Sequence, residues 1–176
     1  MDNVLFITAD QWRGECLSAL GHPVVKTPHL DALAGMGTLF RRHYSQATPC
    51  GPARASLYTG LYQHNHRTVT NGTPLDDRHA NIALEARKGG HDPALFGYTD
   101  IAADPRGRDP DDPELRTRAG LLPGMTPVVR MDRDHQPWKN ALRQRGYQVD
   151  DDPHSLFRPN REGIDPSRGR TFAPTW

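Results

Sequence analysis

The sequence predicts an α/β fold, a mostly parallel sheet flanked by helices. Three observations carry that reading. A strand-like apolar run opens the chain at Val4-Leu5-Phe6-Ile7-Thr8. Strand-like and helix-like stretches then alternate as far as Gly97. Proline and glycine mark the junctions between them.

Each element has a local reason. Val4 to Thr8 is short and partly β-branched, which suits a buried parallel strand ending at Asp10-Gln11. Thr27-Pro28 opens a helix, with Thr27 as cap and Pro28 at the first helical position. Leu30, Leu33 and Ala34 form its apolar face, and Gly35 and Gly37 close it. Thr38 to Tyr44 alternates like a second strand. Pro52 marks another first helical turn, which continues through Tyr58 and stops at Gly60. A helix over 80–88 leads to a strand over 92–97. From 102 to 127 periodicity fails, and Asp104-Pro105, Asp109-Pro110 and Asp112-Pro113 are turn signals. A helix returns over 137–145, and 150–176 is irregular. The chain divides into a compact α/β part, 1–101, and a loop-rich part, 102–176.

Composition narrows the function. The 176 residues carry a formal net charge of +1 with both signs interspersed, so no basic stripe marks a nucleic-acid binder. No apolar run has transmembrane length, and the first residues lack the basic region of a secretion signal. A cytoplasmic protein is the expectation. Cys16 and Cys50 alone make no disulfide framework.

Two motifs point to chemistry. Cys50-Gly51-Pro52-Ala53-Arg54 places a nucleophile and a cation one turn apart, at or just before a helix N-terminus. Free N–H groups and the helix dipole favour anions there, and Arg54 can pair with a tetrahedral oxyanion or a carboxylate. Asp10-Gln11 follows the first predicted strand, where ligands of parallel sheets bind. Their oxygen atoms suit hard divalent cations.

Together these motifs resemble the sulfatase family of the alkaline-phosphatase superfamily. The resemblance runs from Asn3 to Tyr62 and rests on Val4-Leu5-Phe6-Ile7-Thr8-Ala9-Asp10, Thr27-Pro28-His29-Leu30-Asp31, and Cys50 to Arg54 followed by Ala55-Ser56-Leu57-Tyr58-Thr59-Gly60. It implies an alkaline-phosphatase-like fold and a hydrolase of small-molecule esters. It also implies that a formylglycine-generating enzyme oxidises Cys50 to formylglycine. The hydrated aldehyde is the nucleophile, activated by a divalent metal, manganese or calcium, on Asp10, Gln11 and residue 50. Arg54 would hold the diol and the charge of the metal site.

The departures from the family pattern point to a branch. Gln11 replaces the second of two adjacent aspartates, and Gly97-Tyr98-Thr99-Asp100 replaces a Gly-Lys-Trp-His segment. Asp10-Gln11 with Asn71 and Tyr98-Thr99 resembles phosphonate monoester hydrolases and phosphodiesterases. In that branch Asn71, Tyr98 and Thr99 would contact the transferred group. An arylsulfatase, or a non-catalytic relic binding anions or a partner through an unmodified Cys50, stays open. Elsewhere, His64 and His66 read as surface or packing residues, Asp134 as a helix cap, Asp150-Asp151-Asp152 as a solvated turn and Trp138 as core. The family domain is much longer than this chain. The expectation is therefore an N-terminal portion of a catalytic domain with an incomplete site, inactive alone, whose exposed apolar surface would favour association between copies.

Overall fold

Pro28 suits a first helical position and begins α1 (Pro28–Met36) in the computed structural model, which describes residues 3–117, 120–131 and 135–152. Thr27 precedes α1 but makes no side-chain cap bond. Its hydroxyl instead accepts the Ser18 N–H at 2.9 Å and donates to Asp31 at 3.0 Å, which ties the 3₁₀ turn Ser18–Leu20 to α1.

The centre of the molecule is α2 (Cys50–Thr59), in which Gly51, Pro52, Arg54, Ala55, Ser56 and Tyr58 are buried. Gly60 ends it in the left-handed region at φ 72°, where glycine carries no Cβ penalty. The short α3 (Gln63–His66) packs back on α2. There His66 Nδ1 accepts the Thr68 N–H at 3.1 Å, so Nε2 carries the proton and donates to Ser56 Oγ at 2.9 Å. His66 is therefore a packing residue and not a base for Ser56. The core proper is Ala55, Tyr58, Leu75, Ala83, Ile101 and Leu122, with Met125 against it. Ala83 arrives on α4 (Ile82–Lys88), whose start is fixed by Asn81. The Asn81 Oδ1 accepts the N–H groups of Ala83 and Leu84, and its Nδ2 donates to the Pro123 carbonyl.

β1 (Ala94–Gly97) and β2 (Thr126–Arg130) pair in parallel, from Ala94 with Thr126 to Gly97 with Arg130, and the register shifts between Leu95 and Phe96. The crossover between them contains the 3₁₀ turn Pro113–Arg116. The final helix, α5 (Gln136–Gln144), buries Lys139 completely. The Lys139 ammonium donates to the carbonyls of Asp150, Asp151 and Asp152 at 2.9, 3.0 and 2.6 Å. That segment is thus folded around a cation. Trp138 is half-buried, edge-on to His135, rather than core.

The architecture is α/β with a parallel two-stranded sheet, and two expected strands are not formed. Residues 4–8 and 38–44 make no sheet pairing among the described residues, and Val4, Leu5 and Ile7 are 83%, 85% and 73% exposed. A strand exists only against a neighbour that accepts its hydrogen bonds. Among the described residues the strand pair that forms lies elsewhere, between β1 and β2. β2, by contrast, was unexpected because Pro127 interrupts its pattern. Asp134 and residues 153–176 lie outside the described residues. Among the described residues no helix is long and apolar enough to cross a membrane.

Candidate active site

Cys50 is the first residue of α2, and one helical turn later Arg54 lies on the same side. Arg54 is 8% exposed and reaches four groups. Its Nη2 is 3.7 Å from Asp10 Oδ1, and its Nη1 donates to the Tyr58 hydroxyl and the Tyr98 carbonyl, each at 3.4 Å. Its guanidinium also stacks 4.8 Å from the centroid of the Tyr98 ring. The Tyr98 hydroxyl donates to Asp10 Oδ2 at 3.0 Å. One carboxylate is therefore held from two sides, by a cation and by a phenol that themselves touch.

Burial, reinforced by the hydrogen bond and charge of Asp10, pushes the Tyr98 phenol up to about 12. It remains a protonated donor throughout the neutral range. Burial also pushes the Cys50 thiol above its ordinary value, helped by a hydrogen bond to Asp10 and by the negative charges of Asp10 and Asp100. This is the reverse of an activated cysteine, whose helix N-terminus and cationic neighbours lower the thiol pKa.

The segment Gly97-Tyr98-Thr99-Asp100 divides its side chains between two tasks. Tyr98 turns to Asp10, whereas Thr99 does not join the site. Thr99 is 1% exposed, donates to the Gly120 carbonyl at 2.6 Å and accepts the Leu122 N–H at 3.0 Å. Its hydroxyl is spent on holding the crossover to the end of β1, and this corrects the substrate contact expected from sequence. Asp100 has a part that its place in the sequence did not reveal, since its negative charge acts on both Cys50 and Tyr98. The available signal was that it stands where the family pattern carries a cationic histidine.

Asn71 reaches the site from the loop before α4. Its Oδ1 accepts the Gly51 N–H at 2.7 Å, beside Cys50. Gln11 is exposed at φ 56°, an uncommon conformation outside glycine that sets it off sharply from Asp10. Asp10, Gln11, Cys50, Ala53 and Arg54 line an open cleft of about 730 Å³. His43 and Tyr44 line the same cleft.

The donor chemistry fits a hard divalent cation in part. Asp10 and Gln11 supply oxygen atoms, and the Asp10 side chain is one-third exposed. Among the described residues no three His, Cys, Asp or Glu side chains converge as a complete metal cage.

Comparison with known proteins agrees with this architecture. The sulfatase family model matches residues 2–151, and the chain belongs to that family. The crystal structure of the phosphonate monoester hydrolase of Agrobacterium radiobacter superposes with a TM-score of 0.79 at 49% identity, over 96% of this chain and 33% of that one. The phosphonate monoester hydrolase of Silicibacter pomeroyi gives 0.79 at 48% identity, over 93% and 33%. The multifunctional alkaline phosphatase superfamily protein PehA of Trinickia caryophylli is 38% identical over 98% of this chain and 34% of its own length. An ulvan-active sulfatase of Formosa agariphila is 47% identical, but over 43% of this chain and 14% of its own. The chain spans about a third of the length of the first three relatives.

Proposed function

We propose that this chain carries the nucleophile side of a metal-dependent, formylglycine-type hydrolase of phosphonate monoesters and phosphodiesters, as the N-terminal portion of a sulfatase-type catalytic domain. The observation that carries the reading is the arrangement around residue 50. Residue 50 opens a helix N-terminus beside Asp10, with Arg54, one turn on, and Tyr98 clamping the Asp10 carboxylate from two sides. The sulfatase-type motif around it supports conversion of the thiol into a different nucleophile, by a formylglycine-generating enzyme as the modifying partner.

In this reading Asp10 and Gln11, with the converted residue 50, would hold a divalent metal, manganese or calcium, which would supply Lewis-acid polarisation at residue 50. Arg54 neutralises Asp10 and keeps its carboxylate aimed at residue 50. Tyr98 fixes the same carboxylate through its hydroxyl, so its role is orientation of a ligand. Asn71 offers its amide as a neutral donor to the transferred group. Phosphonate and phosphodiester substrates are preferred over sulfate because the phosphonate monoester hydrolases match nearly the whole chain, whereas the ulvan-active sulfatase matches under half.

The test is intact-mass spectrometry after co-expression with a formylglycine-generating enzyme. Conversion lowers the mass at Cys50 by about 18 Da, the difference between thiol and aldehyde forms of the residue. Cys50→Ala should show no such loss. An unmodified Cys50 under those conditions would sink the formylglycine reading and favour an anion-binding relic.

A further inference from the structure

Gly51 lies between the nucleophile and the helix, and its need for glycine is not conformational. It has ordinary helical geometry and does not belong to the glycines with positive φ. What distinguishes it is proximity. A Cβ at position 51 would stand 3.1 Å from Asn71 Oδ1, 3.3 Å from Asn71 Cα and 3.6 Å from the Thr70 carbonyl oxygen. Both Asn71 atoms stand closer than an ordinary contact and one of them is backbone, so Asn71 would have to give by a few tenths of an ångström, whereas the Thr70 oxygen is at ordinary van der Waals distance.

The missing methyl group permits one contact, the Gly51 N–H donating to Asn71 Oδ1 at 2.7 Å. This bond also settles which way the Asn71 amide faces, because a backbone N–H can only meet the amide oxygen. The amide NH2 is consequently not spent on this bond, on a side chain docked at the first turn of α2, at the residue after Cys50. Docking therefore exchanges one free helix donor, the Gly51 N–H, for a side-chain donor with two protons and longer reach.

We infer that Gly51 is a positioning residue of the anion site: it lets Asn71 dock on the N-terminus of α2 and so presents the Asn71 amide to a tetrahedral oxyanion held beside residue 50. The inference rests on the proposed hydrolase reading for the identity of that anion. It extends that reading by giving the second residue of the Cys-x-Pro-x-Arg motif, which the motif leaves free, a task in ligand binding.

Two variants separate docking from donation. Gly51→Ala leaves the Cys-x-Pro-x-Arg motif intact and keeps the amide, but crowds the loop. Asn71→Asp keeps an acceptor for the Gly51 N–H but replaces the NH2 donor with a second anionic oxygen. Amide hydrogen exchange at residue 51 reads docking: slow in the wild-type chain and in Asn71→Asp, and fast in Gly51→Ala. Titration with inorganic phosphate reads donation: the Asn71 side-chain NH2 resonance shifts in the wild type, and both variants bind phosphate at least roughly tenfold more weakly, as expected for a lost hydrogen bond to a charged group. An Asn71 NH2 resonance unmoved by phosphate in the wild type overturns the inference. So does phosphate affinity in Gly51→Ala within twofold of wild type, or equal protection of residue 51 in the two proteins. Failure of Cys50 to convert counts against the hydrolase reading alone, since docking and phosphate binding are measured without it.

Discussion

At the scale of residues, the informative feature is the use of one carboxylate by three partners. Asp10 faces Arg54 at 3.7 Å, accepts from Tyr98 at 3.0 Å and raises the Cys50 pKa. If Asp10 holds a metal as proposed, Tyr98 would support that ligand from behind, and such partners set metal affinity almost as strongly as the ligands do. On the proposed reading, Tyr98→Phe keeps the ring beneath Arg54 but removes the donor to Asp10. Manganese binding by the converted chain should weaken roughly ten- to a hundredfold, read from the EPR signal of free manganese. Unchanged affinity would remove Tyr98 from the orienting role. Asp10 was expected at the end of a strand that does not form among the described residues, whereas the placement of Cys50 and Arg54 one turn apart was legible in the sequence because their spacing follows the helix. The roles of Tyr98 and Thr99 were not, because neighbouring side chains at the end of β1 point to different surroundings. Only the fold decides that Thr99 turns inward to Gly120 and Leu122.

At the scale of elements, Pro28, Pro52, Gly60 and Asn81 act locally, and the helices they start or stop lie close to where the sequence puts them. Strands are different, since their partners lie far along the chain. β2 forms despite Pro127 because Thr126 accepts a register against β1, while Val4 to Thr8 has the stronger strand pattern and no partner among the described residues. The loop-rich part is held by charge in place of periodicity. Asp104 is 3% exposed, accepts the N–H groups of Asp77 and Arg106 at 3.0 Å each, and pairs with the Arg106 guanidinium. The hydrogen bonds from Arg106, ahead of the backbone donors, hold its carboxyl below the ordinary range. The folded state therefore binds this proton less readily than the unfolded chain. Its contribution is complete above the unfolded pKa of about 4 and fades as pH falls through the lower folded value. Asp104→Asn should cost about 1–3 kcal/mol in urea unfolding at pH 7. The gap between variant and wild type should narrow steadily below about pH 4, and a gap independent of pH would show that the carboxylate charge is not what holds the loop.

At the scale of the whole molecule, a small core contrasts with extensive apolar exposure. The buried cluster centres on α2, α4 and the crossover, while Val4, Leu5, Phe6, Ile7, Met36, Phe40 and Tyr44 are all half-exposed or more. An apolar, unpaired run such as 4–7 is a template for edge-to-edge association. The double variant Leu5→Thr, Ile7→Thr should reduce self-association of this chain at micromolar concentration, measured by analytical ultracentrifugation. An unchanged sedimentation profile would place association elsewhere or nowhere.

The chain has three lysines, Lys26, Lys88 and Lys139. They differ in what a reagent in solution can see. Lys88 is exposed beside Glu85, whereas the Lys139 ammonium is sealed beneath three carbonyl oxygens. An acylating reagent, or a protease that reads lysine, finds nothing to grip at position 139 until α5 lets go of the segment that follows it. The chemistry of that one amine is therefore a clock for local unfolding at the far end of the described chain, readable without any introduced label.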